Sequence, residues 1–279
     1  MSALGQPAAG IPRTNSRANA TARRAWQLLL IGAVACCAGC GEGSERAPAC
    51  DAVVRAPIFR GTPTEKLYAL GDSELRAIGR VVAEWLDVEQ RQDIFCTGTL
   101  IAPDWVLTAA HCALPEGSRL GFVVVDAANA ELFTRWSRRL LRDPERDLLL
   151  IELEPTTSAV EVVPIPPAQG AELDVGDAVE LAGFGLTEDG SSGQRRFVEE
   201  TVVSADRSWL TVEGVGASGA CSGDSGGPLL ARGPDGAIFV FGALSNGSAS
   251  CDGRDRYGRV DSALMSRIGS GSDCSTPRE

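Results

Sequence analysis

His111 is the only histidine in the chain, and it stands in the segment Thr108-Ala109-Ala110-His111-Cys112. Far downstream lies Gly223-Asp224-Ser225-Gly226-Gly227-Pro228, a serine set among glycines. A serine hydroxyl is a weak nucleophile until a neighbouring base takes its proton, and imidazole is the side chain suited to that exchange near neutral pH. The imidazole in turn needs a carboxylate to orient it. One candidate base and one glycine-flanked serine predict a hydrolase that works by nucleophilic attack. The alternative for His111, a core histidine with satisfied hydrogen bonds, leaves the flanking cysteine and the serine segment unexplained.

Residues this far apart in sequence need rigid elements to bring them together. From Ile58 onward, short apolar runs are broken by Gly, Pro, Asp and Ser: Thr99–Ile101, Trp105–Thr108, Gly121–Val125, Leu148–Leu153, Ala178–Leu181, Arg196–Val203, Leu229–Leu230 and Ile238–Leu244. This spacing predicts many short strands, hence a sandwich or barrel. Asp261–Ile268 is the best helical segment, apolar at Leu264 and Ile268. Ser73–Val82 reads either as a helix capped by Ser73 or as a strand through Ile78, Val81 and Val82. No repeat of solenoid period is present. Residues 41–57 read as a linker or pro-segment, and 269–279 as a polar tail.

With 279 residues, 44% of them hydrophobic, the chain is long enough for one or two domains with a real core. The formal net charge is −11, and the first 40 residues contribute four arginines and no acid. The acidic excess beyond residue 40 repels phosphate backbones and argues against nucleic-acid binding. Arg23-Arg24 precedes an apolar run, Ala25–Ala38, that is short for a membrane span but has the basic flank of a secretory signal. The run ends in Cys37-Ala38-Gly39-Cys40, which resembles a bacterial lipobox with Cys40 as the acylated residue, although Cys37 stands where that motif usually has Leu. Cys36 and Cys37 are poorer positions for acylation. Residues 1–40 are therefore expected to be a signal segment. The protein is expected to be exported: periplasmic, anchored to the outer membrane through Cys40, or extracellular. Cys50, Cys96, Cys112, Cys221, Cys251 and Cys274 form an even set, read as a disulfide framework in an oxidising compartment.

Gly223-Asp224-Ser225-Gly226-Gly227 satisfies the G-x-S-x-G pattern of α/β-hydrolases, but no histidine follows Ser225 and no strand–helix alternation surrounds it. The order His, Asp, Ser is instead that of the trypsin/chymotrypsin class. Cys96–Cys112 resembles that family's histidine loop, Asp147–Leu153 its aspartate segment, Gly183-Phe184-Gly185 its Gly-Trp-Gly turn and Cys221–Leu229 its serine loop. The resemblance covers Ile58–Ile268. It implies an all-β fold of two six-stranded antiparallel β-barrels with a short C-terminal helix, and a serine endopeptidase acting on protein or peptide substrates without a cofactor. A calcium site is not indicated, because Glu116, Asp126 and Glu131 lack a clear ligand spacing.

Carried over residue by residue, the resemblance implies His111, Asp147 and Ser225 as the triad, and the Gly223 and Ser225 amides as the oxyanion hole. Asp143 is the rival for the carboxylate; it precedes Pro144 in an expected loop, whereas Asp147 precedes an apolar strand. Bridges Cys96–Cys112 and Cys221–Cys251 are implied, leaving Cys50 and Cys274 to pair. Zymogen cleavage would free Ile58, whose ammonium would pair with Asp224; Pro57 stands where a basic residue is expected, which leaves the activating protease open. Gly219, Ala220, Ser245 and Gly247 fall in the specificity pocket, with Ser245 supporting the triad aspartate. Asn246 replaces a usual Trp. Asp255 falls in the pocket wall, where it would pair with a substrate Arg or Lys, or else is a solvated loop aspartate between Arg254 and Arg256. The alternative function is a protease-fold binding protein without turnover; an esterase would use the same triad.

Overall fold

Apolar runs that alternate, or that stay apolar where both faces are covered, become the strands of two barrels. The computed structural model describes residues 58–270, apart from 59, 86–89 and 114–117. The predicted signal segment with Cys40, the linker, Cys50 and Cys274 lie outside the described residues. The first barrel contains β1 (Ile78–Trp85), β2 (Gln90–Ala102), β3 (Trp105–Ala109), β4 (Ser118–Val125), β5 (Glu131–Asp143) and β6 (Leu148–Leu153), closed in the order β1-β2-β3-β6-β5-β4. The second contains β7 (Ala178–Gly183), β8 (Arg196–Ala205), β9 (Trp209–Gly214), β10 (Pro228–Arg232), β11 (Ile238–Asn246) and β12 (Arg254–Arg259), closed as β10-β11-β12-β9-β8-β7. All the pairings are antiparallel. Closure leaves neither sheet with a free edge.

β3 is buried at every residue, because one face looks into its own barrel and the other meets β11 of the second. The first barrel's core is continuous with Phe184, Phe197, Leu230 and Val240, so the junction between the barrels is apolar. A second cluster, with Ile58, Leu181, Val198, Leu210, Leu229 and Tyr257, fills the other barrel.

Two expectations change in detail. The Ser73–Val82 segment divides into a one-turn helix α1 (Asp72–Leu75) and strand β1, with the Glu74 carboxylate accepting from the Gly71 amide at 2.8 Å in place of a Ser73 cap. The C-terminal helix α2 runs Ser262–Ser270, taking in the first two residues of the expected tail.

Candidate active site

The β3–β6 register does the first part of the assembly. Ala109 pairs with Leu148, so the residues that follow β3 and precede β6 meet at one barrel end. His111 lies there in a single 3₁₀ turn, Ala110–Cys112, and Asp147 in the turn before β6. The Cys96–Cys112 disulfide ties that turn to β2. Asp147 adopts φ 53°, a left-handed conformation that aspartate tolerates better than most side chains. Its carbonyl accepts from the Ala110 amide at 2.9 Å.

The Asp147 carboxylate has three donors. Oδ1 accepts from the His111 amide at 2.9 Å, and Oδ2 lies 2.7 Å from His111 Nδ1 and 2.7 Å from Ser245 Oγ. A carboxylate accepts only, so Nδ1 carries the proton of the neutral ring and Nε2 is left with its lone pair. Burial pushes the Asp147 carboxyl up, but the bonds from His111 and Ser245 outweigh it and hold the group below its ordinary value. Asp143, the rival, is the last residue of β5 and not part of a loop; it is buried and holds Arg146, with Oδ2 2.6 Å from Nη2.

Ser225 comes from the loop before β10. The Gly226 amide donates to Leu244 O at 2.7 Å, the Leu244 amide to Gly227 O at 2.9 Å, and the Thr97 amide to Ser225 O at 2.8 Å. The loop is thus held by β11 on one side and by β2 of the other barrel. Cys112 Sγ lies 3.9 Å from the Ser225 carbonyl, which sets the two loops side by side. Ser225 Oγ has no hydrogen-bond partner among the described residues; such bonds tighten when substrate arrives. Gly223 has φ 99°, and a Cβ there would stand 2.9 Å from Gly185 Cα, so glycine is required on both counts.

Asp224 is fully buried, seated against Gly183 and Gly185, and accepts from the Gly185 amide at 2.7 Å and the Cys221 amide at 2.9 Å. Burial pushes its carboxyl up to about 7, with those amides pulling the other way. Ile58 is also buried, in the second barrel's cluster.

A cleft of about 400 Å³ opens beside Ser225, lined by Ala220, Ser245, Gly247 and the Cys221–Cys251 disulfide. Gly219 lies behind it, against Asp255. Asp255 is 0% exposed on β12 while its neighbours Arg254 and Arg256 are exposed, so the solvated-loop alternative is overturned by the strand's alternation.

A profile of the trypsin family matches residues 82–264, from β1 into α2. The chain belongs to the trypsin family. Among relatives, it is 34% identical over 148 residues to peptidases of two Corynebacterium glutamicum strains, an alignment covering 50% of this chain and 50% of theirs. It therefore spans half the length of those relatives. It is 31% identical over 192 residues to human azurocidin, covering 60% of this chain and 72% of that one, and 31% identical over 179 residues to brachyurin of Leptuca pugilator, covering 54% and 77%. A solved structure of human heparin binding protein superposes with a TM-score of 0.55 at 21% identity, covering 76% of this chain and 97% of its own, which supports the double-barrel fold. The two disulfides suit an oxidising compartment.

Three further side chains at this site are not apparent from the motifs. Thr97 Oγ1 donates to Gly223 O at 3.0 Å and accepts from the Phe184 amide at 3.1 Å. Thr108 Oγ1 donates to Thr97 O at 2.7 Å and fills the space where a side chain on Gly226 would go. Glu200 lies buried in β8. Only Glu200 left a signal: it falls in the inward phase of β8 with Val198 and Val202, an acid where the alternation calls for an apolar residue.

Proposed function

We propose that the chain is an exported serine endopeptidase that hydrolyses peptide bonds through an acyl-enzyme on Ser225. The Ser245–Asp147–His111 hydrogen-bond chain carries this reading, because it fixes the histidine tautomer that can accept a proton. Ser225 Oγ attacks the scissile carbonyl as His111 Nε2 takes its proton. The Gly223 and Ser225 amides stabilise the oxyanion, each such donor being worth about 10²–10³ in turnover. His111 returns the proton to the leaving amine, and water completes the cycle by the same route.

Zymogen activation is part of the proposal. Asp224 is a buried carboxyl met by neutral donors, and the ammonium of a chain starting at Ile58 would supply its charge partner. Asp255, close behind the cleft, favours Arg or Lys as P1, the substrate residue on the acyl side of the scissile bond. Residues 1–40 serve as the export signal, with lipidation at Cys40 or free secretion as its two endings.

Fluorophosphonate labelling of a form beginning at Gly41 and one beginning at Ile58, each with a Ser225→Ala control, tests the reading. Labelling at Ser225 only after cleavage is expected. Labelling of both forms would remove the zymogen step. Folded protein that labels in neither form would favour the binding-protein alternative, and preference for ester over peptide substrates would favour an esterase.

A further inference from the structure

The interior of the second barrel holds two carboxyls that no cation meets among the described residues. Glu200 on β8 and Asp255 on β12 are both fully buried. Tyr257 Oη donates to Glu200 Oε2 at 2.8 Å, and the Ala220 amide donates to Asp255 Oδ2 at 2.6 Å. The remaining oxygens, Glu200 Oε1 and Asp255 Oδ1, have no hydrogen-bond partner among the described residues. Asp255 and Tyr257 alternate onto the same inward face of β12, so the Tyr257–Glu200 bond brings the two carboxyls together in the barrel interior. Two carboxylates cannot donate to each other, whereas one proton shared between them would satisfy both orphan oxygens.

The charges agree with the geometry. Burial first, then Asp255, pushes Glu200 well above the carboxylate range; burial raises Asp255 while Glu200 lowers it. Both carboxyls are raised, so the pair holds a proton more readily than two solvated carboxylates would. The other titratable groups facing the pair are Tyr257, from β12, and Asp224, from the serine loop; the segment after β11 contributes only the Ser248 backbone.

Asp255 lies directly behind the cleft. A Cβ on Gly247 would stand 2.3 Å from Asp255 Oδ1, and one on Gly219 would stand 2.9 Å from Oδ2. Both glycines are bare where the carboxyl passes between them, and Gly247 lines the cleft beside Ser225.

Building on the protease reading, we propose that Glu200 is a specificity-determining residue: with Asp255 it forms an acid pair at the pocket floor that exchanges its shared proton for the guanidinium or ammonium of a P1 Arg or Lys. The cation enters, the proton leaves to solvent, and the two carboxylates that remain are bridged by the cation's donors. Recognition of a basic residue is then linked to pH through the pocket itself.

Benzamidine, an aryl amidine carrying the charge of a basic P1 side chain, is the probe. Its binding to the full chain is measured by calorimetry from pH 6 to 9 in buffers of different ionisation enthalpy. The wild type is expected to release about one proton per ligand and to gain affinity by about tenfold per pH unit until the pair ionises. In Glu200→Gln the amide replaces the shared proton while its carbonyl still accepts from Tyr257. That variant is expected to release no proton, to bind independently of pH and to bind more tightly than wild type at pH 6. In Tyr257→Phe, losing the donor to Glu200 moves the rising limb to higher pH. A wild type that binds without proton release, a Glu200→Gln variant that keeps the slope, or no benzamidine binding at any pH overturns the proposal. All these readouts are of binding, so protein that labels at Ser225 yet fails them sinks the acid pair alone. Benzamidine binding without labelling sinks catalysis alone.

Discussion

Thr97 touches neither imidazole nor nucleophile hydroxyl, yet its four polar contacts reach Gly223, Phe184, Ser225 and Thr108. Replacing it with valine keeps the shape and leaves the Gly223 carbonyl and Phe184 amide unpaired, a cost of about 1–3 kcal/mol. The Gly223 carbonyl belongs to the residue whose amide is proposed to hold the oxyanion, so Thr97→Val is expected to lower kcat by about 10–100-fold with KM little changed. Affinity for a peptide aldehyde, which forms a tetrahedral adduct, should fall in step while benzamidine binding stays constant, and Thr97→Ser should restore both. Equal weakening of the two ligands would reduce Thr97 to a stabilising residue. His111 and Ser225 were legible because their chemistry is written in residue type and neighbours. Thr97 and Glu200 were not, since a threonine or glutamate acquires such a role only from what the fold places opposite it.

Among the elements, β3, β4 and β6 announced themselves through apolar runs, whereas β5, β9 and β12 did not. β12 reads Arg-Asp-Arg-Tyr-Gly-Arg, and its strand character rests on Asp255 and Tyr257 alternating inward while Arg254 and Arg256 face solvent. Charged outer faces hide such strands from a search for hydrophobic runs. The Ser73–Val82 ambiguity had a physical source too: a helical turn and a strand share the segment. The Gly183–Gly185 turn was visible as a motif, but its purpose was not. A Cβ at Gly185 would stand 2.6 Å from Asp224 Cγ, whereas one at Gly190 would meet nothing within 4 Å. Gly185→Ala is therefore expected to destabilise the chain by about 1–3 kcal/mol and to suppress labelling of Ser225. Gly190→Ala, with only its φ of 81° to strain, should cost about 1 kcal/mol and leave labelling intact. Urea unfolding of both variants checks this; equal losses would mean that the turn does not define the seat of Asp224.

Across the whole molecule, the state of Asp224 is one contribution to how stability responds to pH, and the one that cleavage would change. Its carboxyl, ordinarily near 3.8, is pushed up to about 7 in the uncleaved fold. The neutral form that the fold prefers contributes its full stability below about pH 3.8, and that contribution is lost as pH rises through 7. An ammonium at Ile58 would remove this loss by pairing with the carboxylate. The cleaved form should therefore gain on the uncleaved one by about 1.4 kcal/mol per pH unit between pH 4 and 7. Urea titrations of the two forms read the difference, and a gap independent of pH would show that the new terminus does not reach Asp224. The division of the site between barrels also has a consequence in time. A chain made from its N-terminus completes the imidazole and its carboxylate first, on a barrel that holds no nucleophile. Ser225 follows, but its loop waits for Leu244 in β11 to pin it. On the protease reading, a chain that stops short of β11 is expected to carry the imidazole and its carboxylate without a pinned nucleophile, and so to be harmless to itself and its neighbours.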